Sequence, residues 1–485
     1  MSKINKQKIT NLIKAIIVIA SFALTVLILD KVLLLKSEDG IEQIQSYYKQ
    51  PKNSVDALFV GSSHIFCHVN TGVLWDEYGI SGYDLAGAEQ PFWNSYYYIK
   101  EALKTQTPKV IVLDVSTPGI RPIDNQPENW LITNTFGIKP NRNRYDAIKA
   151  SALEQSFFKL LTPLKSIHGR YNELNENDFT DYKNSINYKG FDPRETCVPM
   201  EAPDISKVTE KDSISEKEDK YLRKIIEYCS TNNIPLLLIT SPYGVTAKEQ
   251  KKFNTIYAIA DEYGVPYIDF NTRYEEMGLD FSTDMAEVLH LNRSGNEKFT
   301  IYLGECLKNE YALPDHRGDE KYISWEKDAL YQRQDTNAYK LNAACEAGDI
   351  NKCIEYLTDN DNYVFFMSVP KNYEITEANE DTLNKLKSLC PANTVLTAGT
   401  IGIYSNVNCF YSSDNDNARG SYSDGNRRFL ITKETNEEVS VQLKCNSMLT
   451  DDSMSDYKTF DLSDKEPEII IYDSCLDEII TDIRF

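Results

Sequence analysis

Positive charge is scarce in this 485-residue chain: 52 Lys and Arg stand against 73 Asp and Glu, a net charge of −21. So acidic a surface repels a phosphate backbone, and no basic stripe interrupts it, which excludes a nucleic-acid-binding protein. Histidine is rarer still, with five residues, so imidazole chemistry must draw on His64, His68, His168, His290 or His316. The ten cysteines show no CxxC and no regular spacing. They therefore argue for neither a zinc site nor a disulfide framework, although a bridge among Cys390, Cys409, Cys445 and Cys475 stays open. No metal or cofactor site is predicted, and tandem repeats and low-complexity tracts are absent. At 41% hydrophobic and 26% charged residues the chain is globular, and its length exceeds what one core normally fills. Tyrosine is abundant (31 residues, against four Trp), a composition suited to stacking on sugars and hydrogen-bonding to them.

Lys3, Lys6, Lys8 and Lys14 precede the apolar run Ala15 to Leu29, and no acidic residue falls among the first 14. Counted from Ile9, the run reaches the roughly 20 residues that cross a bilayer core, with Lys14 snorkelling at its inner end. The basic flank stays cytoplasmic and the remainder is exported. A cleaved signal peptide is the rival reading, because Ala20, Ser21 and Ala23 are small, yet a cut there falls inside the apolar run. Residues 1–36 are accordingly expected to form a cytoplasmic tip and a single-pass anchor.

From residue 50 to about 313, short β-branched runs alternate with helical periods: 55–61, a helix near 93–105, 109–115, a helix near 217–229, 235–240, a helix near 248–263, and 265–270. That alternation predicts an α/β domain, a parallel sheet with helices on both faces, with its ligand site beyond the carboxyl ends of the strands. Between about 124 and 203 the pattern loosens into polar sequence that reads as an insertion or lid. An acidic stretch at 314–336 is expected to be a linker. Residues 337–485 are expected to form a smaller α+β, mostly β, domain, with a helix at 338–357 and strands at 364–369, 427–434 and 468–473.

Two patches carry chemistry. The first strand ends in Gly61-Ser62-Ser63-His64, which puts a serine on a tight turn where a nucleophile can protrude. Further on, Glu287-Val288-Leu289-His290-Leu291-Asn292 places an acid three residues before a histidine, so the carboxylate can orient the imidazole that takes the serine proton. Asp284 is the alternative acid. His64, adjacent to the serine, is expected to point away, and His68 to be a structural loop residue. Asn292 and Gly295 read as a helix cap and a close-packing glycine.

These residues resemble the SGNH hydrolase superfamily, and more narrowly its membrane-anchored DltD-like and alginate-acetylation-like branches. The resemblance rests on Phe59-Val60-Gly61-Ser62-Ser63-His64, on Tyr83-Asp84-Leu85-Ala86-Gly87-Ala88-Glu89-Gln90-Pro91, and on Glu287-x-x-His290-Leu291-Asn292-x-x-Gly295, in the family's order over residues 50–312. It implies a flavodoxin-like SGNH sheet, Ser63 as nucleophile, His290 as base and Glu287 in the place usually held by aspartate. It further implies an oxyanion hole from the Ser63 and Gly87 backbone amides, with Gln90 able to add its side chain. The family's Gly-x-Asn-Asp block is missing. Gly87 as a turn glycine and Gln90 as a helix-start residue remain the rival readings. Residues 341–485 more faintly resemble the interleukin-like EMT-inducer β domain, through 361–369, 468–473 and 479–485; an unrelated accessory domain is the rival reading.

The resemblance implies a membrane-anchored, extracytoplasmic serine O-acyltransferase or esterase. Its substrate would be O-acyl groups, acetyl foremost, on a cell-surface polysaccharide or teichoic-acid-like polymer. The expected partners are an acylated or acceptor glycan and a polytopic membrane-bound O-acyltransferase as acyl donor. The second reading is a non-catalytic surface protein that binds glycan or scaffolds an acylation partner.

Overall fold

The computed structural model describes residues 3–34, 39–120, 128–152, 157–161, 164–179, 188–358, 360–374, 376, 380–424, 427–433, 439–445 and 458–485. The expected insertion boundary at 124 and the end of the expected anchor at 36 lie outside these residues. The chain divides into two compact units, 1–329 and 330–485.

The first unit opens with a helix from Lys3 to Leu33, and within its stretch Gln7–Leu33 the most apolar 18-residue window has a mean hydropathy of 2.7 and no buried residue. At 1.5 Å per residue these 27 residues run roughly 40 Å, long enough and apolar enough to cross a membrane.

Five parallel strands follow: β1 (Ala57–Gly61), β2 (Gly82–Ala86), β3 (Val110–Asp114), β4 (Leu236–Thr240) and β5 (Tyr267–Asp269), in the order β2-β1-β3-β4-β5. The fold is thus α/β with a parallel sheet, as the alternating pattern predicts. Alternate residues serve opposite faces. Leu58, Val60, Ile111, Leu113 and Leu238 pack into one core with the helices Phe92–Ala102 and Glu216–Thr231, whereas Phe59, Val112, Leu237 and Ile239 pack into the other with helix Arg293–Tyr311. Burial on both sides is why these strands read as continuous apolar runs. β2 escaped that reading because Gly82, Tyr83 and Asp84 break the run, although all five of its residues are buried. Capping boxes at Ser215/Glu218 and Thr246/Glu249 start two of the helices, and Gly264, at φ 65°, ends the second. The sheet order also fixes where a ligand can sit: the chain leaves β1 toward β2 and returns to β3 on the other side, so a crevice opens at the carboxyl end of β1.

The expected linker at 314–336 is corrected. Glu320–Tyr322 forms a 3-10 turn that continues into a helix, Ile323–Glu346, because Tyr322, Trp325 and Ala329 insert into the core of the first unit. Trp325 is 1% exposed, its Nε1–H donates to Gly82 O at 3.0 Å, and Lys189 Nζ lies 4.1 Å from its ring centre. Charged residues between the anchors, Glu326 and Lys327 exposed and Asp328 buried against Lys189, concealed the three apolar positions.

The second unit is rich in β-strand. Here β6 (Met285–Glu287) and β7 (His290–Leu291) are the two short strands of the first unit's last hairpin, so its own strands begin at β8 (Tyr363–Ser368). They continue with β9 (Ile401–Tyr404), β10 (Cys409–Ser413), β11 (Ala418–Asp424), β12 (Arg427–Lys433), β13 (Val439–Cys445), β14 (Lys458–Leu462), β15 (Glu468–Asp473) and β16 (Glu478–Arg484). They form two antiparallel sheets, β10-β9-β8-β15-β16 and β11-β12-β13-β14. On β8, Val364 and Phe366 pack between the sheets against Phe429 and Ile431, while Tyr363, Phe365 and Met367 face the helices. The single helix expected at 338–357 is two helices, ending at Glu346 and restarting at Ile350, because Gly348 adopts φ 69°.

Trp325→Ala should destabilise the first unit by about 3–5 kcal/mol, the range for deleting a buried aromatic. Urea denaturation of the full chain checks this; a residue in a solvated linker would give a change near zero.

Candidate active site

β1 delivers its last residue, Gly61, to a position so crowded that an added Cβ would lie 2.9 Å from Asp114 Cβ and from Ile65 Cγ1. The turn can therefore be tight, and Ser63 becomes the first residue of the helix Ser63–His68. A serine at such a strand-to-helix turn has its hydroxyl at the crevice and its N–H among the helix donors that have no intrahelical acceptor.

The second patch is a hairpin. β6 and β7 pair Glu287 with His290 across the two-residue turn Val288–Leu289, so three positions of sequence become one cross-strand contact. The Glu287 carboxylate accepts from His290 Nδ1–H and from Leu289 N–H, the latter at 2.8 Å. With Nδ1 donating, His290 Nε2 is left to accept the Ser63 hydroxyl proton, and the two atoms are 2.7 Å apart. Partial burial pushes the Glu287 carboxyl up, but its bonds to His290 and Leu289 and the charges of His290 and Arg194 outweigh that and hold it below the ordinary glutamate value. It is ionised at neutral pH and suited to stabilise an imidazolium. The longer arm of glutamate loses nothing here, because the hairpin already sets the two residues opposite each other.

Asp284, the alternative acid, is committed elsewhere. Its carboxylate pairs with Lys298 Nζ at 2.7 Å and accepts from Asp280 N–H at 2.8 Å. Asn292 caps the helix Arg293–Tyr311 through Ser294 and Gly295 N–H, and an added Cβ at Gly295 would stand 2.3 Å from Asp284 O.

The expected oxyanion donors need correction. Gly87 N–H donates to Gly61 O at 3.3 Å, because β2 goes on pairing with β1 past its last residue. Gln90 is 1% exposed and its Nε2 donates to Ser95 Oγ at 3.1 Å, in the first turn of the helix Phe92–Ala102. The neighbouring Ala88 and Glu89 line the site instead, with Glu89 in a left-handed turn at φ 48°. Of the three expected donors, the Ser63 N–H alone stays at the crevice.

Ser63 and His290 open into a cavity of about 240 Å³ whose walls include Phe66, Ala88, Thr117, Ile120, Trp130 and Leu289. Asp39, Glu89 and Arg194 bring charge to it. Arg194 binds Asp192 at 2.7 Å and Asp39 at 3.6 Å. It comes from the loosely patterned 124–203 stretch, and no signal in the sequence marked it.

His64 was expected to point away, yet it lines the cavity. Its ring stacks on His68, with centres 4.9 Å apart, and both rings meet His290 edge-on at 5.6 and 5.8 Å. His68 Nε2 accepts Leu291 N–H at 3.1 Å, which ties the hairpin to the serine helix. The signal was present in the i, i+4 spacing of the two histidines on one short helix. His168 has no place in this site. His316 Nε2 bonds Asp56 Oδ2 at 2.5 Å, and its ring stacks on Tyr322 at 3.7 Å. Among the described residues no group of three potential ligands could hold a metal ion.

No family model matches the chain, and no curated protein matches it. Among solved structures it is similar to a lipolytic protein of the G-D-S-L family from Desulfitobacterium hafniense DCB-2. That match has 11% identity over 52% of this chain and 99% of the other, with a TM-score of 0.28. A gut microbial diltiazem-metabolizing enzyme matches at 9% identity, over 82% of this chain and 57% of its own, with a TM-score of 0.20. Likenesses this distant decide neither fold nor chemistry, which rest on the sheet order and the hydrogen-bond chain.

Burial depresses His64 and His68 well below the ordinary imidazole range, first by desolvation and then by the charge of neighbouring histidines. Both rings are neutral when folded, but each takes up a proton once unfolding exposes it below about pH 6.5. The unfolded state then binds more protons, so this contribution is complete above that pH and is lost on acidification. Well below pH 6.5 the slope approaches about 1.4 kcal/mol per pH unit for each ring. Urea titrations between about pH 8 and pH 5 should show this fall, and His64→Leu should remove about half of it; an unchanged slope in that variant would contradict the assignment.

Proposed function

We propose that the protein is an SGNH-type serine O-acyltransferase or esterase, anchored by its N-terminal helix with the active domain outside the cytoplasm. The observation that carries this reading is the unbroken hydrogen-bond chain from Glu287 through His290 to Ser63 at the crevice of a parallel sheet. The order of the three motifs and the likeness to DltD-like sequences support the narrower reading. In that reading the substrate is an O-acyl group, acetyl foremost, of a cell-surface polysaccharide or teichoic-acid-like polymer. The small, largely apolar cavity suits a short acyl group. The basic N-terminal flank supports the orientation of the anchor.

In this mechanism Ser63 Oγ attacks the acyl carbonyl while His290 Nε2 takes the hydroxyl proton. Glu287 stabilises the imidazolium, and the Ser63 N–H offers one donor to the oxyanion. Collapse of the tetrahedral intermediate breaks the ester bond, and His290 protonates the departing alcohol. The acyl group is then bonded to Ser63. A second attack, by a glycan hydroxyl or by water, returns the serine and completes transfer or hydrolysis. A polytopic membrane-bound O-acyltransferase is the proposed acyl donor, and the second unit is the proposed glycan-recognising accessory domain. A non-catalytic scaffold is the competing reading, favoured by one observation: Gly87 N–H is spent on Gly61 O, and Gln90 is buried with its Nε2 turned to Ser95 Oγ.

The full chain in detergent should hydrolyse p-nitrophenyl acetate, and Ser63→Ala and His290→Ala should each lower turnover by several orders of magnitude. Glu287→Gln should lower kcat by about 10⁴-fold, because it removes the charge that orients and stabilises the imidazole. Adding an oligosaccharide acceptor should divert acetyl from water to sugar. Equal rates in all variants would favour the scaffold.

A further inference from the structure

Among the described residues one pair of thiols is in contact: Cys345 Sγ and Cys353 Sγ lie 3.2 Å apart in the second unit. Two helix ends create that proximity. Cys345 sits in the last turn of the helix Ile323–Glu346, which stops where Gly348 turns left-handed at φ 69°. The reversal is tied by Gly348 N–H to Cys345 O and by Asp349 N–H to Ala344 O, both at 3.0 Å. Asp349 then caps the helix Ile350–Leu357 by accepting from Lys352 N–H. This fixes the start of a two-turn helix whose buried residues are Cys353 and Leu357. Both cysteines are therefore held by backbone geometry, and closing the bond needs an approach of only about 1 Å.

The two thiols differ in access. Cys353 is 0% exposed, in a core with Leu341, Leu357 and Phe365, whereas Cys345 is half-buried and reachable from solvent. Burial, together with the contact to Cys353, pushes the Cys345 thiol up to about 12. Access decides the order of events: Cys345 is the sulfur that an external disulfide reaches first, and Cys353 closes the bond behind it.

We propose that Cys345 and Cys353 are a disulfide-forming pair, oxidised by a thiol–disulfide oxidoreductase once the second unit is outside the cytoplasm; the location rests on the export reading above, the pairing does not. The Cys345 thiolate attacks the oxidoreductase disulfide, forming a mixed disulfide and expelling one of its thiolates. The Cys353 thiolate then attacks the Cys345 sulfur, closes the Cys345–Cys353 bond and expels the second thiolate. The two protons pass to the two thiolates released. The pair has lost two electrons and the oxidoreductase has gained them. The bridge closes the helix corner around Gly348. It holds in place an eight-residue helix that is too short to persist alone.

Trypsin makes the pairing directly readable. Cleavage after Lys340, Lys352 and Lys371 yields peptides 341–352 and 353–371, which carry one cysteine each. The full chain is exported by cells with an oxidising envelope, extracted in detergent, blocked with N-ethylmaleimide and digested without reductant. A second sample, the purified full chain equilibrated in a glutathione redox buffer and then blocked, makes the reading independent of where the protein resides. The expected result in both samples is one cross-linked species that separates into the two peptides on reduction. The two peptides recovered separately, each blocked, in the redox-buffered sample would overturn the pairing; separate peptides in the exported sample alone would overturn the location of its oxidation and leave the pairing standing. Cys345→Ser should abolish the species, and dithiothreitol should lower the Tm of the wild type but not of that variant; equal Tm shifts in both would also count against the bridge. Ser63 activity enters neither measurement, so an inactive serine leaves this test intact.

Discussion

The hydrogen bond between Ser63 Oγ and His290 Nε2 joins residues 227 positions apart, and no local structure can make it. It exists only if β1 is paired on both sides, the crevice between β2 and β3 is open, and the hairpin carrying His290 is docked on the serine helix. The rest of the first unit serves that contact. Asp114, at the end of β3, accepts from Ser116 N–H and from Ser241 N–H, both at 3.0 Å, and so ties together the loops that leave β3 and β4. His68 ties the hairpin to the helix, and the segment before it runs alongside, with Val198 N–H donating to Met285 O at 2.9 Å. A hydrogen-bonded pair held this way has little freedom to drift from its geometry, which is the property that the proposed general-base role of His290 needs most.

The electrostatics follow from the same packing. Two neutral imidazoles lie against the base, and an ionised carboxylate lies on its far side. The low-dielectric wall under His290 therefore strengthens its interaction with Glu287 and denies it a competing charge. His64 and His68 are residues of that wall, both buried. The cost is carried as sensitivity to acid, because both rings must protonate once they are released to water.

Much of this was legible in the sequence, and what was missed has identifiable causes. Strands buried on both faces announce themselves as apolar runs, so four of the five were readable, while β2, with glycine and aspartate inside it, was not. The Ser63, His290 and Glu287 positions were readable because a strand-end serine and an acid three residues before a histidine are local patterns. The fates of Gly87 and Gln90 depend on pairing that continues beyond a strand end and on the direction in which a side chain turns, neither of which is encoded nearby. Arg194 and the wall of the cavity come from a stretch with no periodic signal. Trp325 was hidden because the residues around it have the composition of a linker, and three apolar positions in a charged background decided its structure.

The proposed chemistry requires Ser63 to be an activated nucleophile and not merely a serine on a turn. The most direct measurement is to treat the full chain with a fluorophosphonate probe and map the labelled peptide by mass spectrometry. The expected result is a covalent adduct on Ser63, formed rapidly at neutral pH and suppressed when His290 is replaced by alanine. No adduct, or labelling of Ser63 at the same rate without His290, would contradict it.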